Sequence, residues 1–122
     1  MAWNFTSQQP IYQQIVDYIL MDILSGKYGM GEKLPSVREL SLVASVNPNT
    51  MQRAMAELES LGLADTQRNS GRFVTTQESI IATARKQKAM EAAKTYLNNM
   101  KALGYTREEA LELLRGDACK EE

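Results

Sequence analysis

The side chains best equipped for chemistry lie between Asn47 and Arg53, where Asn47, Asn49, Thr50, Gln52 and Arg53 crowd together, with Ser36 and Arg38 upstream and Arg68, Ser70 and Arg72 downstream. This is chemistry of recognition. An amide side chain can pair with the edge of adenine, an arginine with guanine or with a phosphate, and short hydroxyls with either. The types needed to make or break bonds are missing or misplaced. The chain has no His, its single Cys119 is close to the carboxyl terminus, and its carboxylates occupy solvent-facing helix positions without a partner pattern. An enzyme is excluded on that ground, and neither a metal nor a cofactor is expected. Seven Met residues fall at helical core spacing and read as packing. Gly29 and Gly31 lack a following Gly-Lys-Ser/Thr and read as turn glycines.

Those polar residues need rigid elements beneath them. Ser36 followed by Glu39 is a capping box, so a helix starts at Val37. It must stop before Asn47-Pro48, because Asn is a good N-cap, Pro suits the first helical position, and the residue before proline avoids helical geometry. A second helix begins at Pro48. Met51, Ala54, Met55, Leu58 and Leu61 form its apolar stripe, and Gly62 stands where a left-handed cap is wanted. The opposite face holds Asn49, Thr50, Gln52, Arg53 and Ala56. It suits a helix whose first turns enter a major groove, although any solvated amphipathic face shows a similar pattern. Leu63 to Gln67 and Arg72 to Thr76 then read as strands joined by Arg68-Asn69-Ser70-Gly71, whose Asn and Gly tolerate positive φ. Helix, turn, helix and hairpin together spell a winged helix. Arg68 and Arg72 flank the wing tip, placed for phosphate or a minor groove, or else are plain surface arginines.

Gly26-Lys27-Tyr28, Gly31-Glu32-Lys33-Leu34-Pro35-Ser36-Val37-Arg38-Glu39-Leu40, Asn49-Thr50, Arg53-Ala54, Leu58-Glu59, Gly62-Leu63 and Gly71-Arg72-Phe73-Val74 resemble the signature of the GntR family of bacterial transcription regulators over about residues 10 to 76. The short remainder, with no length for a large effector domain, is similar to the YtrA subfamily. The resemblance implies a DNA-binding set of Ser36 and Arg38 in the first helix of the motif, Asn47, Asn49, Thr50, Gln52 and Arg53 at the groove, and Arg68, Ser70, Gly71 and Arg72 in the wing. It implies a homodimer on an inverted-repeat operator of double-stranded DNA, acting mostly as a repressor and often on transporter operons. A small-molecule effector is left open and its identity unknown. The chain departs from the pattern twice. Pro48 stands where many members carry a DNA-contacting arginine or serine, and Asn69 stands where a first wing glycine is usual.

The rest of the chain supports this core. At 122 residues and 43% hydrophobic content, one modest domain plus an appendage is expected, with residues 1–76 as the DNA-binding winged helix and residues 77–122 as a helical dimerisation tail. The fold class is mainly α with a small β-hairpin. A stripe of Ile11, Tyr12, Ile15, Val16, Ile19, Leu20, Ile23 and Leu24 predicts a core helix from about Pro10, with Gln13, Gln14, Asp17 and Asp22 facing water. Lys33-Leu34 reads as a possible third strand, and Trp3 and Phe5 as packed on the domain. A helix from about Ser79 to Leu103 with an alanine-rich stripe, Gly104, and a second capping box at Thr106 to Glu109 complete the tail. Its apolar residues are expected to pack on a second copy. Net charge is −1, so binding would come from a clustered patch doubled by a dimer, and not from a general basic coat. The lone cysteine and the lack of an apolar span or leader predict a cytoplasmic protein that does not enter membranes. The competing reading is a winged helix used as a protein-interaction module that does not bind DNA.

Overall fold

The computed structural model describes residues 3–116 in the order α1 (Ile11–Leu24), α2 (Val37–Ala44), α3 (Pro48–Ser60), β1 (Ala64–Gln67), β2 (Gly71–Val74), α4 (Glu78–Ala102) and α5 (Arg107–Arg115). Residues up to Thr83 form one compact unit and those from Ala84 a second. In the first, α3 is the hub, packed against α1, α2 and β1. Its Met51, Ala54, Met55 and Leu58 are each 0% exposed, meeting Ile15, Val16, Ile19, Leu20 and Ile23 of α1 and Leu40 and Ala44 of α2 in the core. Each such side chain contributes about 1.5–3 kcal/mol on leaving water. The expected stripes of α1 and α3 each run too far at one end. Ile11 is exposed and Tyr12 half-buried on the first turn of α1, and Leu61 is 51% exposed because it is the C-cap of α3, with Gly62 turning the chain away at φ 81°.

The two strands pair antiparallel in the register Ala64↔Val74 to Gln67↔Gly71, and the Thr75 amide donates to the Leu63 carbonyl just beyond. The expected third strand is a single bridge, Lys33↔Phe73, extended by Leu34 N–H to the Arg72 carbonyl and Val74 N–H to the Glu32 carbonyl, both at 2.9 Å. Phe73 is only half-buried, and its neighbour Val74 supplies the strand's core side chain. Burial rises from the exposed wing tip towards the base of the hairpin, where Ala64, Val74 and Thr75 are buried.

Trp3 stacks on Tyr18 with centroids 4.7 Å apart, and Phe5 meets the same ring edge-on at 5.8 Å. Gln14, expected to face water, instead clamps this arm. Its amide donates to the carbonyls of Thr6 and Gln9 and accepts from the Thr6 amide.

The first turn of α4 belongs to the first unit. Ile81 is 6% exposed there, and the Ile80 side chain lies over Gly62, 3.1 Å from where a Cβ would stand. In the second unit the Tyr96 hydroxyl donates to the Ala110 carbonyl at 2.6 Å, holding α5 on α4, and the Thr106–Glu109 capping box forms at 3.1 and 2.8 Å. Ala110 alone is buried among the described residues of this unit, whereas Met90, Leu103, Leu111, Leu113 and Leu114 are exposed. Cys119 lies outside the described residues.

Candidate nucleic-acid interface

The reading face is built from two capped helices and the turn between them. At the start of α2 the Ser36 hydroxyl accepts from the Glu39 amide at 3.1 Å while the Glu39 carboxylate accepts from the Ser36 amide at 3.0 Å. These bonds, with help from the nearby Lys33 charge, hold the Glu39 carboxyl below its usual range. Arg38 follows on the exposed side of the first turn. Ser45 ends α2 in the left-handed region at φ 57°, a conformation the sequence gives no warning of, and the Val46 amide donates back to Ser41. Asn47 then caps α3, its Oδ1 accepting from the Asn49 amide at 2.7 Å, with Pro48 as first helical residue. Asn49, Gln52 and Arg53 are exposed and Thr50 half-buried. The Arg53 guanidinium lies over the Tyr12 ring, 3.8 Å from its centroid, a cation–π contact that restrains a side chain still exposed to solvent.

The wing turn is closed by Ser70 N–H to the Gln67 carbonyl at 3.0 Å, with Asn69 at φ 67° and Gly71 at φ 112°. Arg68 and Ser70 are exposed at the tip. Arg72 is half-buried at the wing's base. Its Nε donates to Glu59 near the end of α3, and that bond holds the Glu59 carboxyl below its usual range. The pair braces the hairpin against the helix. Between wing and α2 runs a cleft of about 470 Å³, lined by Lys33, Ser36, Asn69, Ser70, Gly71 and Arg72 among others.

Comparison with known proteins decides the lineage. The family described as bacterial regulatory proteins, gntR family, matches residues 11–74. The chain belongs to the GntR family. It is 40% identical over 109 residues to the uncharacterized HTH-type transcriptional regulator YhcF of Bacillus subtilis, covering 89% of this chain and 90% of that one. It is 42% identical over 69 residues to the HTH-type transcriptional repressor YtrA of the same organism, covering 57% of this chain and 53% of YtrA. A GntR family transcriptional regulator from Listeria monocytogenes superposes with a TM-score of 0.81 at 37% identity over 91% of this chain and 97% of that one. The DNA-binding domain of AraR, solved in complex with operator ORX1, gives 0.54 at 28% identity over 62% and 92%. These likenesses place the chain with the YtrA-like members as a transcriptional regulator and not an enzyme. Among the described residues no helix is long and apolar enough to cross a membrane.

Within this GntR winged helix the structure brings Arg38, Asn49, Gln52 and Arg53 to the exposed surface of α2 and α3, and Arg68 and Ser70 to the wing tip. It gives Ser36 and Asn47 capping work and ties Arg72 to Glu59. Sequence reasoning passed over Lys33. Its stem crosses the bare Cα of Gly71, its Cε only 2.9 Å from where a Cβ would be, and it lines the cleft with Ser70 and Arg72. The one sequence signal was the possible third strand, since pairing Lys33 with Phe73 puts Gly71 next along on the same face. Gly71→Ala is therefore expected to strain the wing and displace Lys33. A loss of about 1–2 kcal/mol in thermal or urea unfolding would register the strain at a positive φ.

Proposed function

We propose that this regulator is a repressor that binds an inverted-repeat operator as a homodimer, with the winged helix as reading head and the helices beyond Thr83 as the dimer element. The observation that carries the reading is the exposed polar amino half of α3, flanked by Arg38 on one side and the Arg68–Ser70 wing tip on the other, on a domain of a DNA-binding family. Arg38, Asn49 and Gln52 read bases in the major groove, and Arg53, restrained by Tyr12, meets phosphate or guanine. Ser36, Thr50, Arg68 and Ser70 contact the backbone, Asn47 and Gly71 shape it, and Arg72 acts through Glu59 by fixing the wing. Repression is supported by the likeness to YtrA, named a repressor. A transporter operon is the target class that subfamily suggests, and any small effector would bind between the two tails in the cytoplasm.

Titration of operator duplex with the Arg38→Ala and Arg53→Ala variants tests the reading face. Each substitution is expected to weaken binding by about 1–3 kcal/mol where the contact is bidentate. Both side chains are exposed, so circular dichroism is expected to be unchanged. Operator affinity equal to wild type in both variants would remove this assignment.

A further inference from the structure

One exposed apolar patch of the reading head lies at the corner between α2 and α3. Leu42 is 76% exposed and Val43 also exposed at the end of α2, Val46 is half-buried in the turn, and Pro48 is exposed at the start of α3. They border a notch of about 570 Å³ lined by Val37, Arg38, Ser41, Leu42, Val46 and Pro48. The notch shares Arg38 with the surface assigned to DNA, and Pro48 stands between Asn47 and Asn49 of that surface, which sets the notch at its edge. Apart from the Arg38 guanidinium, the polar groups around it are already spent or absent. Ser41 Oγ donates to the Val37 carbonyl at 2.7 Å, Asn47 Oδ1 is taken by the Asn49 amide, and Pro48 has no N–H to offer. A contact made through Pro48 is necessarily apolar. In a major groove the apolar group that a base edge presents is the 5-methyl of thymine.

We propose that Pro48, backed by Val46 and Leu42, is a specificity-determining residue that seats the methyl group of a thymine beside the base pair met by Arg38. The inference rests on the major-groove reading of the preceding subsection. A proline that cannot hydrogen-bond a base selects thymine by contact.

The test replaces each thymine of a bound operator duplex with uracil, one position at a time, which removes a methyl and leaves the pairing edge intact. Wild type is expected to lose about four-fold in affinity at one thymine per half-site, the factor that corresponds to ~0.8 kcal/mol for one buried methyl. Pro48→Ser, with helix content checked by circular dichroism, is expected to bind the thymine and uracil duplexes equally at that position. Indifference of wild type to every uracil overturns the proposal, and so does a Pro48→Ser protein that keeps the same sensitivity at the same base. Failure to bind the unmodified duplex would instead remove the reading head itself, and the proposal with it.

Discussion

Truncation after Thr83 is expected to leave a folded reading head that binds a full inverted repeat about 10²–10⁴-fold more weakly than the whole chain, the gain that linking two heads supplies. The second unit has little to hold by itself. Its exposed Met90, Leu103, Leu111, Leu113 and Leu114 find no cover within it, and a second copy is the partner that the proposed two-headed reading calls for. The position of the cut matters. Ending the chain after Gln77 removes buried Ile81 and uncovers Gly62 and its neighbours, and the cost of such a large core deletion is about 2–5 kcal/mol. The shorter fragment should therefore melt well below the longer one, and sedimentation should find the Thr83 fragment monomeric and the full chain dimeric at micromolar concentration. A Thr83 fragment that still dimerises would exclude the tail as the dimer element.

Leu58→Ala is expected to have the largest effect on stability of any single exchange in the reading helix, about 2–5 kcal/mol, with the melting temperature down by roughly 10 °C or more. Leu58 is fully buried on the face of α3 that meets the core, close to where the chain turns at Gly62 into β1. Asn49→Ala, on the other face of the same helix, should leave stability within about 0.5 kcal/mol of wild type and act on DNA alone. Urea unfolding of the two variants separates these roles. A Leu58→Ala loss below about 1 kcal/mol would mean that α3 is not the hub.

What the sequence made legible is what is specified within a few residues. Both capping boxes, the Asn47-Pro48 helix start and the left-handed Asn69 depend on neighbours one to three positions away, and all stand in the structure as expected. The helix stripes were legible too, except at their ends, where Ile11 and Leu61 run past the surface they would cover. The rest depends on pairs far apart in the chain. Tyr12 under Arg53, Glu59 holding Arg72, Gly71 beneath Lys33 and Gln14 clamping the amino-terminal arm each need a tertiary approach that no periodicity announces. Arg72 illustrates the limit for the candidate site. By type and position it reads like Arg68, yet the carboxylate of Glu59, one residue before the end of α3, turns it into a brace. Ser45 is a different case, since its left-handed φ is imposed by the turn that brings α3 across α2 and not by its own preference.

Selection of bound sequences from random duplex DNA by the full chain tests the central claim most directly. The account predicts enrichment of an inverted repeat whose two half-sites lie about one helical turn, ~34 Å, or a multiple of it apart, as two linked reading heads require. No enrichment, or enrichment of a single unrepeated site, would contradict it.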